Sequence, residues 1–149
     1  MARTYKIFIS HSWNYDAELQ RLKNLLNNRG YFYAEYRQAE RSHPIDSIHA
    51  PVVKAQITRR LQDSDIVLGI AGMYASYSDW MPWELDKAKE LGLNVIGVIP
   101  WGHERISQAV NSRSIVNVHW NADSIVDAIR QYGPCPVHRR SFLKFLDKI

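Results

Sequence analysis

Residues 78–84, with the sequence SDWMPWE, place two tryptophans and a proline just ahead of one glutamate. If Pro82 is the first residue of a helix, Glu84 is the third, where capping and the helix dipole favour glutamate. Met81 would then be the cap, and it has no side-chain oxygen for that purpose. Trp80 precedes Glu84 by four residues, so both side chains can point toward the same side if the turn between them is helical. The motif is therefore either a helix start or a poorly solvated catalytic carboxylate in a pocket for a flat ring.

The segment SHSWNYD, at residues 10–16, lies between the first predicted strand and the first predicted helix and allows two interpretations. Free backbone N–H groups and the helix dipole favour an anion such as a phosphate at this place. Ser12 or Asn14 could equally be a simple N-cap, which contributes about 1 kcal/mol to a helix. On these residues alone the cap is favoured, and phosphate binding stays open.

Several common enzyme motifs are missing from the chain. No G-x-G-x-x-G follows the first predicted strand, and neither G-x-x-x-x-G-K-[ST] nor G-x-S-x-G occurs. These absences argue against a dinucleotide-dependent dehydrogenase, a P-loop nucleotidase and a serine hydrolase of the α/β type. A phosphoreceiver domain needs acidic residues at the ends of its first and third strands, where this chain has residues 10–12 (SHS) and 70–72 (IAG).

One pattern resembles a metal site. His43, Asp46 and His49 follow one another at three-residue steps, so their side chains could reach one ion. The intervening Pro44 and the loop setting disfavour a preorganised site, and zinc normally uses three or four convergent ligands. We interpret the segment as a polar loop and expect no metal.

Composition indicates one globular domain. The 149 residues are 46% hydrophobic and 23% charged, and the single cysteine cannot form an intramolecular disulfide. The net charge of +4 suits an anionic partner such as a nucleotide. The basic pairs at residues 59–60 and 139–140 are not interleaved with aromatics, so nucleic-acid binding is not expected. No segment has the length and apolar character of a membrane span or a signal peptide, which predicts a cytoplasmic protein.

Short apolar runs alternate with segments of helical period along the chain. Strands are predicted at residues 5–10, 31–36, 66–70, 95–99 and 115–118, and helices at 19–26, 52–61, 83–91, 104–110 and 122–131. This alternation predicts an α/β, flavodoxin-like three-layer fold with a central parallel five-stranded sheet. Ligands of such folds bind beyond the carboxyl ends of the strands. Residues 1–134 would form this domain, and 135–149 a C-terminal extension with a short helix packed on it.

Three segments in the same order resemble the Toll/interleukin-1 receptor (TIR) domain, and specifically the bacterial TIR-like proteins of the Thoeris anti-phage system. The first is residues 5–12 (YKIFISHS) with Asp16 following, and the second is residues 57–70 (ITRRLQDSDIVLGI). The third is residues 77–85 (YSDWMPWEL), where S-x-W and the W-x-x-x-E spacing precede a glutamate that is catalytic in that family. The resemblance covers residues 5–97, and the order of strands and helices continues it to about residue 131.

This resemblance implies a TIR-domain enzyme that cleaves NAD⁺ between nicotinamide and ribose, with NAD⁺ as substrate and no cofactor. It implies that Glu84 is the catalytic residue. Substrate-binding residues would be Ser10, His11, Ser12, Trp13, Tyr36, Arg37 and Trp80, with Arg41 as a further pyrophosphate contact. The product would be a cyclic ADP-ribose derivative that activates a separate effector, with a phage-derived trigger and self-association as further expected partners.

The loop predicted at residues 37–50 departs from the family because it lacks the usual proline-glycine and glycine-rich pattern. This departure affects the expected loop contacts and the mode of self-association. Two other functions remain open. One is a non-catalytic TIR-like scaffold, which would have no need of a carboxylate at Glu84. The other is a nucleoside-processing ribosyl transferase of related fold, which would cleave nucleosides without turning over NAD⁺.

Overall fold

Ten helices and strands alternate along the described part of the protein. The structure is a computed structural model and describes residues 4–11, 16–38, 45, 47–70 and 80–133. The elements are β1 (Thr4–His11), α1 (Asp16–Arg29), β2 (Tyr33–Gln38), α2 (Ala50–Gln62), β3 (Ile66–Ile70), α3 (Trp80–Glu90), β4 (Val95–Val98), α4 (Gln108–Asn111), β5 (Val116–Val118) and α5 (Ala122–Tyr132).

The strands form one parallel sheet in the order β2-β1-β3-β4-β5. Helices cover both faces, so the prediction of a three-layer α/β fold with five parallel strands is confirmed. The order reverses between β1 and β3, because β2 lies on one side of β1 and the later strands lie on the other. In folds of this topology ligands bind at the carboxyl ends of the strands beside that reversal.

Alternation along β1 divides the core into two clusters. Tyr5, Ile7 and Ile9 pack with buried residues of α1 and α5 on one face of the sheet. Phe8 packs on the other face with buried residues of α2 and α3. Since successive side chains of a strand point to opposite faces, Ser10 lies on the same face as Phe8. This alternation decides which predicted site residues can meet.

The predicted bounds of β2 were wrong by about two residues at each end. The strand starts at Tyr33 rather than at residue 31 because Gly30 and Tyr31 have φ angles of 79° and 56°, which turn the chain. It continues to Gln38, which pairs with Ile9 of β1. Arg37 therefore lies in a strand and not in the predicted loop of residues 37–50.

The predicted helix starts also need correction. α3 begins at Trp80, so Pro82 is its third residue and Glu84 its fifth. α2 begins at Ala50, with Pro51 as its second residue. Both prolines are tolerated because the first four N–H groups of a helix have no partner within it. The helix predicted at residues 104–110 is only α4, which begins after Ser107, whose Oγ accepts a hydrogen bond from the Val110 N–H.

The predicted C-terminal extension, residues 135–149, lies outside the described residues, so the domain boundary stays a prediction. Within the part of the chain that the structure describes, no helix is long and apolar enough to cross a membrane.

Candidate active site

Glu84 lies on the buried face of α3. Trp80, Glu84 and Ala88 follow one another at four-residue spacing, and all three are buried. The predicted common side of Trp80 and Glu84 is therefore observed, although the helix starts earlier than expected. Glu84 is 0% exposed, an unusual state for a carboxylate, and it needs polar partners inside the protein.

Ser10 provides one of these partners. Its Oγ donates a hydrogen bond of 2.7 Å to Oε1 of Glu84, and its own exposure is also 0%. A hydroxyl at this distance holds the carboxyl group in one orientation, and hydrogen bonds to carboxylates are stronger than those between neutral groups. Ser10 is the second-last residue of β1, so the pair lies near the carboxyl end of that strand. The bond joins α3 to the strand beside the reversal in the sheet.

Two indole rings stand at the start of α3. Trp80 is 4% exposed, and its ring meets that of Trp83 edge to face, with centroids 6.0 Å apart and planes at 87°. The ammonium group of Lys54, on α2, lies 5.6 Å from the centroid of the Trp83 ring. Trp80 is thus a buried residue one helical turn before Glu84, and Trp83 is the more accessible ring.

Two glycines lie beside Ser10 in the sheet. Gly69 and Gly97 are the neighbours of Ser10 across β3 and β4. A Cβ atom on Gly69 would lie 3.6 Å from Cδ2 of Leu85 and 3.2 Å from Cγ1 of Val110. Leu85, which follows Glu84 on α3, therefore lies over Gly69, so α3 crosses the sheet at the level of Ser10.

Tyr36 and His11 lie on the other face of the sheet from Ser10. Tyr36 pairs with Ile7 and packs in the cluster beneath α1, where the ammonium group of Lys23 is 5.9 Å from its ring centroid. Burial raises the pKa of the Tyr36 hydroxyl to about 12. His11 is the last residue of β1, so by alternation it too points away from Ser10. Their expected contacts with substrate stay predictions.

Arg37 lies on the same face as Ser10 but is held by carboxylates. Its guanidinium group forms ion pairs of 2.7 Å with Asp63 and 3.3 Å with Glu35. Burial tends to raise the pKa of Asp63, but hydrogen bonds from Lys6 and Arg37 outweigh this and the pKa is lowered. Asp63 is the C-cap residue of α2. It comes just before β3, so it lies at the amino edge of the sheet. The structure therefore does not bring the guanidinium to the Ser10–Glu84 pair.

Three predicted contacts, Ser12, Trp13 and Arg41, lie outside the described residues. The same holds for His43 and Asp46 of the metal-like pattern. Among the residues that the structure describes, no group of three or more histidine, cysteine or acidic side chains could hold a metal ion.

Trp101, an exposed aromatic residue at the carboxyl edge of the sheet, was not predicted as a site residue. Trp101 follows β4, after Pro100, and is 57% exposed. The guanidinium carbon of Arg21, on α1, lies 4.7 Å from the centroid of its ring. A tryptophan directly after the strand-ending Pro100 was the available signal in the sequence.

The fold and the Ser10–Glu84 pair together define a class of protein. The protein is a flavodoxin-like α/β protein with a buried carboxylate near the carboxyl end of its first strand. The profile of the family described as "Thoeris protein ThsB, TIR-like domain" matches residues 8–105, and the chain belongs to this family.

Other comparisons concern the fold. A 2-deoxyribosyltransferase from Bacillus psychrosaccharolyticus has a TM-score of 0.53 and 18% identity, over 76% of this chain and 85% of that one. A 3-dehydroquinate dehydratase-like protein from Bifidobacterium longum has a TM-score of 0.48 and 13% identity, over 86% and 94%. A CMP N-glycosidase from Clostridium botulinum has a TM-score of 0.47 and 12% identity, over 84% and 98%. The first of these likenesses shows a shared fold. No curated protein sequence matches the chain.

Proposed function

We propose that this protein cleaves NAD⁺ between nicotinamide and ribose and makes a cyclic ADP-ribose-type messenger for a separate effector in bacterial anti-phage defence. The observation that carries the proposal is the fully buried carboxylate of Glu84, oriented by Ser10 and one helical turn after the buried Trp80. The chain's membership of the Thoeris ThsB family supports the defence context.

The chemistry suits a carboxylate in this setting. When the glycosidic bond breaks, its electron pair stays with the nicotinamide nitrogen, and the anomeric carbon develops oxocarbenium character. A fixed carboxylate in a site with little water stabilises that charge more than it would in bulk solvent. Glu84 would supply this stabilisation or bind the ribose hydroxyls, and Trp80 would form the wall of the pocket.

Cyclisation and hydrolysis differ in what attacks the same carbon. If a nucleophile from the adenine end of the same molecule attacks, a new bond closes the ring and the product is NAD⁺ less nicotinamide. If water attacks, the product is ADP-ribose, which is heavier by one water molecule. Cyclisation therefore requires a site from which water is excluded during the reaction.

Further partners belong to the proposal. Self-association would complete the pocket, a phage-derived trigger would activate it, and the messenger would carry the signal to the effector. An isolated and untriggered chain is then expected to turn over slowly.

The first test is NAD⁺ loss and product mass for purified protein, with and without lysate from phage-infected cells. Loss of NAD⁺ with a product of NAD⁺ mass less nicotinamide is the expected result. Cleavage of ordinary nucleosides with NAD⁺ intact would instead identify a nucleoside-processing transferase. If NAD⁺ and nucleosides both survive in activated lysate, the protein is a scaffold and the proposal fails.

The hydrogen bond from Ser10 predicts a positioning effect. Ser10→Ala removes the donor that orients Oε1 of Glu84, so kcat for NAD⁺ loss should fall by about 10- to 100-fold, by analogy with the loss of a hydrogen-bond partner that orients a metal ligand. KM should change by much less, because the hydroxyl is directed at Glu84. Initial rates across a range of NAD⁺ concentrations in activated lysate measure both constants.

Ser64→Ala is the matched control for Ser10→Ala. Ser64 is also 0% exposed, and its Oγ donates a bond of the same length, 2.7 Å, to the Arg60 carbonyl. The free energy of unfolding should fall by a similar amount in both variants, but kcat should fall only in Ser10→Ala. Equal rates for the two variants would contradict the positioning role of Ser10.

A further inference from the structure

Two buried polar atoms on β2 lack a partner. Oη of Tyr36 and Oε1 of Gln38 are inaccessible to solvent and form no hydrogen bond. Among the described residues, these two are the buried side-chain nitrogen or oxygen atoms without a hydrogen-bond partner. Folded proteins satisfy nearly all of their buried polar groups, and an exception calls for an explanation such as an external partner. Gln38 was not predicted from the sequence as a site residue.

The two side chains lie on one face of the sheet. They are two positions apart on β2, so they point to the same side, and their Cα atoms are about 6.6 Å apart. Their partners in β1 are Ile7 and Ile9, which belong to the cluster beneath α1. Gln38 is the last residue of β2, so the pair begins at the carboxyl edge and extends inward from it.

The two atoms are chemically complementary. With its pKa raised to about 12 by burial, Tyr36 keeps its hydroxyl proton at neutral pH and acts as a donor. The amide oxygen of Gln38 is an acceptor. A hydroxyl group satisfies both atoms at once, because it accepts a bond from Tyr36 and donates one to Gln38. An ammonium group cannot accept, and a phosphate oxygen without a proton cannot donate.

We propose that Tyr36 and Gln38 form a subsite for a ribose hydroxyl at the adenosine end of a dinucleotide. The inference rests on the proposed function and extends it. The Ser10–Glu84 pair lies on the opposite face of the sheet, so the ribose that reacts at Glu84 cannot also reach Tyr36. The subsite therefore takes the other ribose of the same molecule, which passes over the carboxyl edge between β1 and β2.

A double-mutant cycle between protein and ligand tests the subsite. The four affinities are those of the wild type and Tyr36→Phe for ADP and for 2′,3′-dideoxy-ADP, measured by titration calorimetry. Tyr36→Phe should weaken ADP binding about five- to tenfold, as for one lost hydrogen bond, and the dideoxy ligand should bind still more weakly because it also loses the bond to Gln38. Both changes together should cost little more than the ligand change alone, because the bond to Tyr36 is already absent with that ligand. Additive losses, or no ADP binding by the wild type at millimolar concentration, would overturn the inference.

Control variants separate this role from a structural one. Tyr33→Phe makes the same change on the same strand at an exposed residue on the other face, and it should leave all affinities unchanged. Tyr36→Phe should unfold at an equal or higher temperature than the wild type, since an unpaired buried hydroxyl is removed. A lower unfolding temperature with unchanged ADP affinity would identify an internal water molecule as the partner and overturn the inference.

The outcome does not depend on turnover. If the double-mutant cycle shows coupling but activated lysate shows no NAD⁺ loss, the subsite is supported and the proposed reaction is refuted. NAD⁺ loss with an additive cycle would support the reaction and refute the subsite.

Discussion

Glu84→Gln is expected to lower the rate of NAD⁺ loss in activated lysate by at least about 10³-fold, the scale seen when an essential catalytic group is removed. Glutamine keeps the size of the side chain and can still accept the Ser10 hydrogen bond through its amide oxygen, but it carries no charge. It therefore cannot stabilise an oxocarbenium-like ribose. Single-turnover NAD⁺ loss and circular dichroism, measured on the same preparation, test rate and fold together.

Glu90→Gln is the matched control for this prediction. It makes the same chemical change on the same helix, at an exposed residue whose carboxylate pairs with Lys87 at 3.2 Å. Exposed pairs of this kind contribute little, so both rate and stability should stay close to those of the wild type. A folded Glu84→Gln protein that is as active as Glu90→Gln would show that Glu84 is a structural residue of α3.

Gly97→Ala is expected to destabilise the protein by about 3 kcal/mol, at the upper end of the range for overpacking a core. A Cβ at this position would overlap Oδ1 of Asn117 and lie 2.7 Å from Cδ1 of Ile106. Asn117 cannot move aside freely, because Ser114 donates a bond to its Oδ1 and its own amide donates to Asn111, both at 2.6 Å. For a chain of this length, the unfolding temperature should fall by roughly 6–12 °C.

Gly69→Ala provides the comparison for Gly97→Ala. It lies beside Gly97 in the sheet, and its nearest obstacle is the Val110 methyl group at 3.2 Å, which a small side-chain movement can relieve. The expected loss is about 1 kcal/mol. Equal losses in the two variants would show that the hydrogen-bonded Asn117 does not hold its position against a new methyl group.

The central strands could be predicted well because burial on both faces leaves a clear pattern. The apolar run at residues 66–70 predicted β3 with the bounds that the structure has. The start of β2 was misplaced because Tyr31 looks like a strand residue, although its φ of 56° belongs to the turn after α1. Such a conformation depends on how the chain leaves the helix, which side-chain type does not reveal.

The site could be predicted only in part. Glu84 and Trp80 are close in sequence, and helical spacing alone placed them on one side. The bond from Ser10 to Glu84 spans 74 residues, and it depends on β1 lying next to β3 and on the rotation of α3. Arg37 was expected near the substrate by its place in the chain, but two carboxylates hold its guanidinium. Competition among charged partners is decided by tertiary structure.

The alternation of side chains along β1 has a consequence for the length of the ligand. Ser10 and Phe8 lie on one face, and Ile7 and Ile9, the neighbours of Tyr36 and Gln38, lie on the other. A lone nucleoside has one sugar, so it could occupy one face or the other but not both. A molecule with two sugars joined by a flexible bridge can do so. The two sites on opposite faces of the sheet would then bind dinucleotides in preference to nucleosides, without any side chain that recognises nicotinamide.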